Sequence, residues 1–324
     1  MLRLGLLGAA RITPRAIIEP ASQIDGVAIT AIAARDAARA AEFAAKHAIP
    51  HVASSYEALL ARDDVDMVYV ALPTALHAPW CLAALKAGKH VICEKPFSMS
   101  ARETQSVLDA AAGAGLRVIE ATHNRYHPLL ARVRDLAQSG EIGAIRDLDV
   151  AFEVHVRLGE AEFRRSAALG GGAFRDLGHY CVHFARTVLG QEPLSAQLRE
   201  VIWDAPNVDA LLSVSCVFPG GAVARLEAGM LHDRPQRADA IVRGEKGEIR
   251  VRNFVAPQYG ATLDIVDENG AARREDVDPR ATFAFQMESL VAAMASGAPM
   301  PTEGGDILMQ SRALDLAYAA ALSS

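Results

Sequence analysis

The chain has 324 residues, 51% hydrophobic and 22% charged, with a formal net charge of −6 at pH 7. That length suits two domains, each with its own core. The acidic balance excludes the basic stripe of a nucleic-acid binder, and no uninterrupted apolar run approaches the ~20 residues of a bilayer span.

In chain order, the first third alternates strand and helix. Residues 2–7 are an apolar strand, followed by a glycine turn and a helical stretch over 14–23. Because that strand starts at residue 2, no export signal is expected and the setting is read as cytoplasmic. Further strands are expected at 27–33, 65–72, 90–93 and 117–121. Helices are expected at 36–47, 56–61 and 80–87, and from Ser98 or Ser100 to about residue 112. Nearly continuous apolar strands between helices predict a doubly wound parallel sheet, a Rossmann domain over 1–122.

The rhythm changes near Thr122. A helix over 128–138 precedes longer strand-like runs at 145–156, 210–218, 222–230, 240–251 and 262–266. Glu245-Lys246-Gly247 and Glu268-Asn269-Gly270 read as turns between antiparallel strands. Helices over 283–296 and 307–322 close the chain. The second domain, 123–324, is therefore expected to be α+β with a large, mostly antiparallel open sheet for substrate binding and oligomerisation. The runs 210–218 and 222–230 read as apolar on both faces, so a homodimer or homotetramer built on this sheet about a two-fold axis is expected. Cys81, Cys93, Cys181 and Cys216 form no CxxC pair or metal spacing, so reduced, buried thiols and no metal are expected.

The most informative stretch is Gly88-Lys89-His90-Val91-Ile92-Cys93-Glu94-Lys95-Pro96. A short buried strand ends in an acid, a lysine and a proline, and ligands bind beyond the carboxyl ends of such strands. Lys95 is poorly explained there as packing and well placed to move a proton beside a cofactor. Pro96 biases Lys95 away from helical geometry and stiffens the turn. Glu94 reads as an anchor of that turn.

Gly5-Leu6-Leu7-Gly8-Ala9-Ala10-Arg11-Ile12 joins the first strand to a helix, the setting of a dinucleotide loop. Ala10 and Thr13 replace the second and third glycines of that motif. At the end of the second strand, Arg35 and Arg39 suit a 2′-phosphate, which favours NADP over NAD. Asp36 has two readings, a helix cap or a partner of the ribose hydroxyls. In Leu72-Pro73-Thr74-Ala75-Leu76-His77, the histidine either lines the pocket near the nicotinamide or caps the next helix.

The second cluster runs from Gly170-Gly171-Gly172 to His183. Read as a helix, it places Asp176, Tyr180 and His183 at i, i+4 and i+7 on one face. The segment 120–128 also follows a strand end, so His123 and Arg125 can meet substrate, while Arg125 and His127 can equally serve a network between domains.

Together these residues resemble the Gfo/Idh/MocA oxidoreductase family over essentially the whole chain. The run Ala33 to Arg39 is similar to dimeric dihydrodiol dehydrogenase, with the NADP-dependent D-xylose 1-dehydrogenases and glucose–fructose oxidoreductase in the same neighbourhood. That branch carries a tyrosine where many members have the histidine of a DxGxHxxD motif. Asp176, Gly178 and Tyr180 match it, and His183 replaces the final aspartate. The resemblance implies that Lys95 is the catalytic lysine, on a bond to Pro96 that can be cis. It implies that Tyr180 exchanges the proton and that Asp176 orients the pair or binds substrate. His123 stands where the dihydrodiol enzymes have an aromatic wall, which disfavours an aromatic diol.

The reaction so implied is hydride transfer between the nicotinamide and a hydroxyl-bearing carbon of a sugar, a cyclic polyol or a related carbonyl compound. A free tyrosine titrates near pH ~10. A cationic Lys95 would lower that value toward a useful range. His179 and His183 join His123 and Arg125 as hydroxyl partners. One alternative keeps NADP and drops the chemistry, giving a sensor or regulator. Another is a glycosidase-like use of bound NAD, which Arg35 disfavours.

Overall fold

The computed structural model describes residues 1–156, 159 and 162–323. The first strands and helices are β1 (Leu2–Leu7), α1 (Glu19–Gln23), β2 (Val27–Ala33), α2 (Ala37–Lys46), β3 (His51–Val52) and α3 (Tyr56–Leu60). They continue with β4 (Met67–Val70), α4 (His77–Lys86), β5 (His90–Cys93), α5 (Ala101–Ala114) and β6 (Val118–Glu120). Then come α6 (Pro128–Gln138), β7 (Ile145–Glu153), α7 (His179–Leu189), β8 (Ser195–Ala205), β9 (Val208–Val217) and β10 (Val223–Gly229). The chain ends with β11 (Arg237–Gly244), β12 (Gly247–Arg252), β13 (Thr262–Asp267), β14 (Ala272–Glu275), α8 (Thr282–Ser296) and α9 (Gly305–Leu322).

Two compact units result, Met1–His123 with Phe283–Leu308 and Asn124–Thr282 with Met309–Ser324. This differs from a single boundary near Thr122, because Phe283–Leu308 returns to the first unit. The physical reason lies in β6 and the residue before it. Glu120 N donates to Thr302 O at 2.9 Å, and Thr302 Oγ1 donates to Glu120 O at 2.7 Å. Arg117 donates to Ala293 O at 2.7 Å, to Ala298 O at 2.8 Å and to Glu303 at 2.5 Å.

The first unit carries a six-stranded parallel sheet in the order β3-β2-β1-β4-β5-β6. Leu4, Leu6, Ile32, Val68, Val70, Val91 and Ile92 are all buried, as strands covered on both faces require. The order reverses between β1 and β4, where such sheets bind ligands. Ser55 and Ser100 cap α3 and α5 through Ala58 N at 3.1 Å and Glu103 N at 3.3 Å. Ser98 instead bonds Ser100 O at 2.8 Å, which decides between the two serines.

The second unit carries an eight-stranded sheet in the order β14-β13-β12-β11-β7-β10-β9-β8. Only β7 and β10 pair in parallel; the other neighbours are antiparallel. Leu148, Val150, Val214, Leu226 and Ile249 form one face of its core, together with α6, α7 and residues of α9. The other face corrects the expectation of two apolar faces. On β10 the second face carries Arg225 and Glu227, half-buried. Arg225 pairs with Asp147 at 2.8 Å, and Arg243 with Asp149 at 2.5 Å. Strands β3 and β8 are not among those expected from the sequence, and β14 follows the turn expected at 268–270.

Candidate active site

In the first unit, β1 runs into a turn at Gly8, whose φ is +102°. A Cβ there would stand 2.6 Å from Ala71 O, so only glycine fits. Gly8 N donates to Ala33 O at 2.8 Å, which ties the turn to the end of β2. Ala9, Ala10, Arg11 and Ile12 follow, and Thr13 Oγ1 is buried with no hydrogen-bond partner among the described residues. A turn opened by glycine and two alanines, with an orphaned hydroxyl at the switch point, fits a dinucleotide pyrophosphate.

Arg35 and Arg39 are exposed just beyond β2. Arg39 Nη2 donates to Ala9 O at 2.7 Å, which brings its guanidinium back to the glycine turn. Asp36 accepts from Arg39 N at 2.9 Å and caps α2, the first of its two readings.

Beyond β4, Leu72, Pro73 and a turn over Thr74–Leu76 deliver His77 into the interior. His77 does not cap α4, because Leu76 holds the cap position. Its Nδ1 lies 2.9 Å from Pro96 O and its Nε2 lies 2.7 Å from Leu72 O. The ring therefore clips the β4 loop to the β5 turn. Burial pushes the His77 pKa down, against the pull of the carbonyls, and the charge of Lys95 adds to the fall.

The Lys95–Pro96 bond is cis. Glu94 anchors the turn, accepting from Tyr69 OH at 2.5 Å and from Lys95 N at 3.3 Å. On the far side, Phe97 N donates to Glu120 Oε1 at 2.8 Å, and Thr122 Oγ1 donates to Glu120 Oε2 at 3.1 Å. Glu120 is missing from the sequence-based site. Its signal was present, an acid closing the otherwise apolar strand β6. His123 packs on Phe283, with ring centroids 4.1 Å apart. Burial pushes its pKa down to about 3, with the positive charges of Lys95 and Arg15 adding to the effect. It is a neutral ring within the field of Lys95.

In the second unit, a Cβ on Gly171 would overlap Arg164 O, and one on Gly172 would overlap Asp209 Oδ1. Buried Asp209 accepts from Phe174 N at 2.7 Å and from Tyr318 OH at 3.0 Å. The helix predicted after Gly172 begins as a π turn over Phe174–Gly178, and the α-helix starts only at His179. The strict α-helical spacing of i, i+4 and i+7 is thereby altered. Asp176 accepts from Arg164 Nε at 2.6 Å, and the ring stacked on His183 is that of His179, at 6.2 Å and 14°. Tyr180 is buried between Phe152 and His179, edge-on to both at 5.7 and 5.6 Å. Burial holds the His183 pKa well below its ordinary value, and Arg186 and Arg125 push the same way. His127 caps α6 by accepting from Leu129 N at 3.1 Å, and its Nε2 donates to Asp278 O at 3.1 Å.

All four cysteines are buried free thiols. Among the described residues, no three metal-ligating side chains group together, and no helix is long and apolar enough to cross a membrane.

Two family models match the chain. The oxidoreductase family with an NAD-binding Rossmann fold, Gfo/Idh/MocA, matches residues 2–122, and the C-terminal domain of the same family matches 130–250. The chain belongs to the Gfo/Idh/MocA oxidoreductase family. It is 34% identical to a D-xylose 1-dehydrogenase (NADP(+)) from Haloferax volcanii, over 98% of this chain and 96% of that one. It is also 34% identical to a dTDP-3,4-didehydro-2,6-dideoxy-alpha-D-glucose 3-reductase from Streptomyces antibioticus, over 91% and 89% of the two chains. A 3-ketoreductase from Actinomadura kijaniata, solved with NADP and TDP-benzene, superposes with a TM-score of 0.89 at 29% identity, covering 98% of this chain and 97% of that one. The Gfo/Idh/MocA match thus spans both the glycine turn and the cluster around Tyr180.

Proposed function

We infer that this protein is an NADP-dependent oxidoreductase that exchanges a hydride with a hydroxyl-bearing carbon of a sugar, a cyclic polyol or a related carbonyl compound. The observation that carries this reading is the Lys95 turn. It sits at the end of β5, one strand from the switch point, fastened by Glu94, His77 and Glu120. The NADP-dependent xylose dehydrogenase and the NADP-bound ketoreductase support the cofactor and the substrate class.

NADP, when bound, supplies or accepts hydride at the nicotinamide. The turn from Gly8 through Ala9, Ala10 and Arg11 to Ile12 takes the pyrophosphate. Arg35 and Arg39 take the 2′-phosphate, in charge-assisted bonds that NAD cannot offer. Leu72, Pro73, Thr74, His77, Glu94 and Pro96 shape the wall on which the nicotinamide rests. Lys95 places a positive charge at the reacting oxygen, and Tyr180 gives or takes its proton. Asp176 acts through its partner Arg164. His123, Arg125, His179 and His183 meet the substrate oxygens, where the neutral rings of His123 and His183 exchange hydrogen bonds without adding charge.

Assembly as a homodimer or homotetramer through the open face of the eight-stranded sheet is part of the same reading. Cross-strand ion pairs such as Arg225–Asp147 and Arg243–Asp149 neutralise part of that face, which lowers the cost of covering it with a second copy. Four buried free thiols suit the reducing cytoplasm. The test is titration with NADP and NAD, then a sugar and polyol panel followed at the nicotinamide absorbance. Lys95→Met and Tyr180→Phe are each expected to lower turnover by ~10²–10⁴ with NADPH binding nearly intact. Tight NADPH binding without turnover on the panel would mark a sensor instead.

A further inference from the structure

His179 opens α7 and is fully buried. Its environment is set by Gln310 on α9, itself 1% exposed. Gln310 Nε2 donates to His179 O at 2.9 Å and lies 3.3 Å from His179 Nδ1. At the other end of the amide, Arg186 Nη1 donates to Gln310 Oε1 at 2.9 Å. Arg186 is gripped in turn by Glu192, with Nε to Oε2 at 2.6 Å and Nη2 to Oε1 at 2.8 Å.

These bonds dictate which way the amide faces. An arginine only donates and a peptide oxygen only accepts. Oε1 must therefore face Arg186, and Nε2 must face His179. The flipped amide would set N–H against N–H and oxygen against oxygen. One Nε2 proton goes to His179 O and the other aims at Nδ1. An amide nitrogen has no lone pair to offer, so Nδ1 must be the bare, accepting nitrogen. The His179 proton then sits on Nε2. An imidazolium would drive an Nδ1–H into the amide N–H.

We propose that Gln310 and Arg186 are positioning residues that lock His179 as a neutral Nε2–H donor beside Tyr180. The sugar oxygen that His179 recognises is then an accepting one, a carbonyl, a ring oxygen or a hydroxyl lone pair. This rests on the reading of the protein as a sugar oxidoreductase. Neither positioning residue belongs to the motifs that mark the site.

Long-range proton–nitrogen NMR of the intact protein reads the tautomer directly, with the His179 signals assigned by their loss in His179→Gln. The wild-type ring is expected to carry its proton on Nε2. In Gln310→Glu the carboxylate can only accept, and the proton is expected on Nδ1. The same variant should lose roughly tenfold or more in kcat/KM for the sugar, with NADPH affinity unchanged. In the His179→Gln background the side-chain amide still supplies a donor, and Gln310→Glu should then cost little. An Nδ1–H tautomer in the wild-type ring, or an equal cost of Gln310→Glu in both backgrounds, overturns the proposal. The wild-type spectrum decides the tautomer even if a variant fails to fold. No turnover on the sugar panel, with the Nε2–H tautomer present, overturns the assigned function and leaves the lock standing.

Discussion

Replacing Glu120 by alanine removes a support of the Lys95 turn and keeps the lysine itself. The carboxylate accepts from Phe97 N at 2.8 Å and from Thr122 Oγ1 at 3.1 Å, at 1% exposure. Hydrogen bonds to an ionised acceptor contribute about 1.5–3 kcal/mol each, which sets a ceiling of about 3–6 kcal/mol for the pair. Water entering the vacated space meets part of the demand of the two orphaned donors, so the expected loss is about 3 kcal/mol. The backbone bonds from Glu120 to Thr302 do not involve the side chain, so β6 should stay paired.

Activity should fall further than stability. Phe97 is two residues beyond Lys95, and a misplacement of ~1 Å at a reacting group can cost ~10² in rate. Glu120→Gln keeps an oxygen for Phe97 N and an amide that can donate to Thr122 Oγ1. It should therefore lose only about 1 kcal/mol and a smaller share of kcat. Denaturant unfolding, kcat on the best sugar of the panel and NADPH affinity by fluorescence titration check the series. The expected order in stability and in kcat is wild type, then glutamine, then alanine, with NADPH affinity little changed. An alanine variant with wild-type kcat would refute the idea that this carboxylate sets the lysine's position.

His123 should make stability depend on pH. Burial holds its folded-state value at about 3, and the unfolded chain protonates near its ordinary 6.5. Protonation then favours the unfolded chain, and stability is lost as pH falls from 6.5 toward 3. His123→Phe, which keeps the ring packing on Phe283, should remove about 2–3 kcal/mol of the loss between pH 7 and pH 4.5, read from denaturant midpoints at the two pH values. Gly172→Ala places a Cβ into Asp209 Oδ1 at a φ of +117°, so thermal unfolding should show a loss of about 3 kcal/mol or more. Arg35→Ala and Arg39→Ala should each weaken NADP binding by roughly tenfold or more and leave NAD nearly unaffected. Equal losses for both nucleotides would remove the 2′-phosphate from their role. Arg39→Ala also frees Ala9 O and should disturb the glycine turn more.

Elements that carry their own punctuation were legible in the sequence. Strands at 27–33 and 90–93 and the helix at 128–138 coincide with β2, β5 and α6. Gly26 and Gly88 precede the two strands at positive φ, and Pro128 opens the helix behind its His127 cap. Strand β8 lacks such signals, and β14 has only the turn at 268–270 ahead of it. Gln197, Arg199, Glu200 and Asp204 on β8, and Arg273, Arg274 and Glu275 on β14, are the charged and polar residues that an edge strand carries to blunt its open side. Such a composition reads as loop. On β10, Arg225 and Glu227 sit inside an apparently apolar run, because their opposite charges across the sheet, Asp147 and Arg237, lie elsewhere in the chain.

The candidate site divides along the same line. Residue type at a strand end picks out Lys95 and the Gly8 turn as candidates, and the glycine-rich cluster before α7 picks out Tyr180. What fixes each of them was invisible, because the partner arrives through topology. Phe97 and Glu120 are 23 residues apart and meet because β5 and β6 are neighbours in the sheet. His179 and Gln310 are 131 residues apart and meet because α9 returns to the second unit. Even local geometry can hide in a period. The π turn over Phe174–Gly178 widens one helical turn, so a strict α-helical period does not run through Asp176. Gly178 is what admits that turn, since a Cβ there would stand 2.5 Å from the Phe174 ring. A glycine read as a motif letter is, in the fold, the residue whose missing side chain makes room for the Phe174 ring.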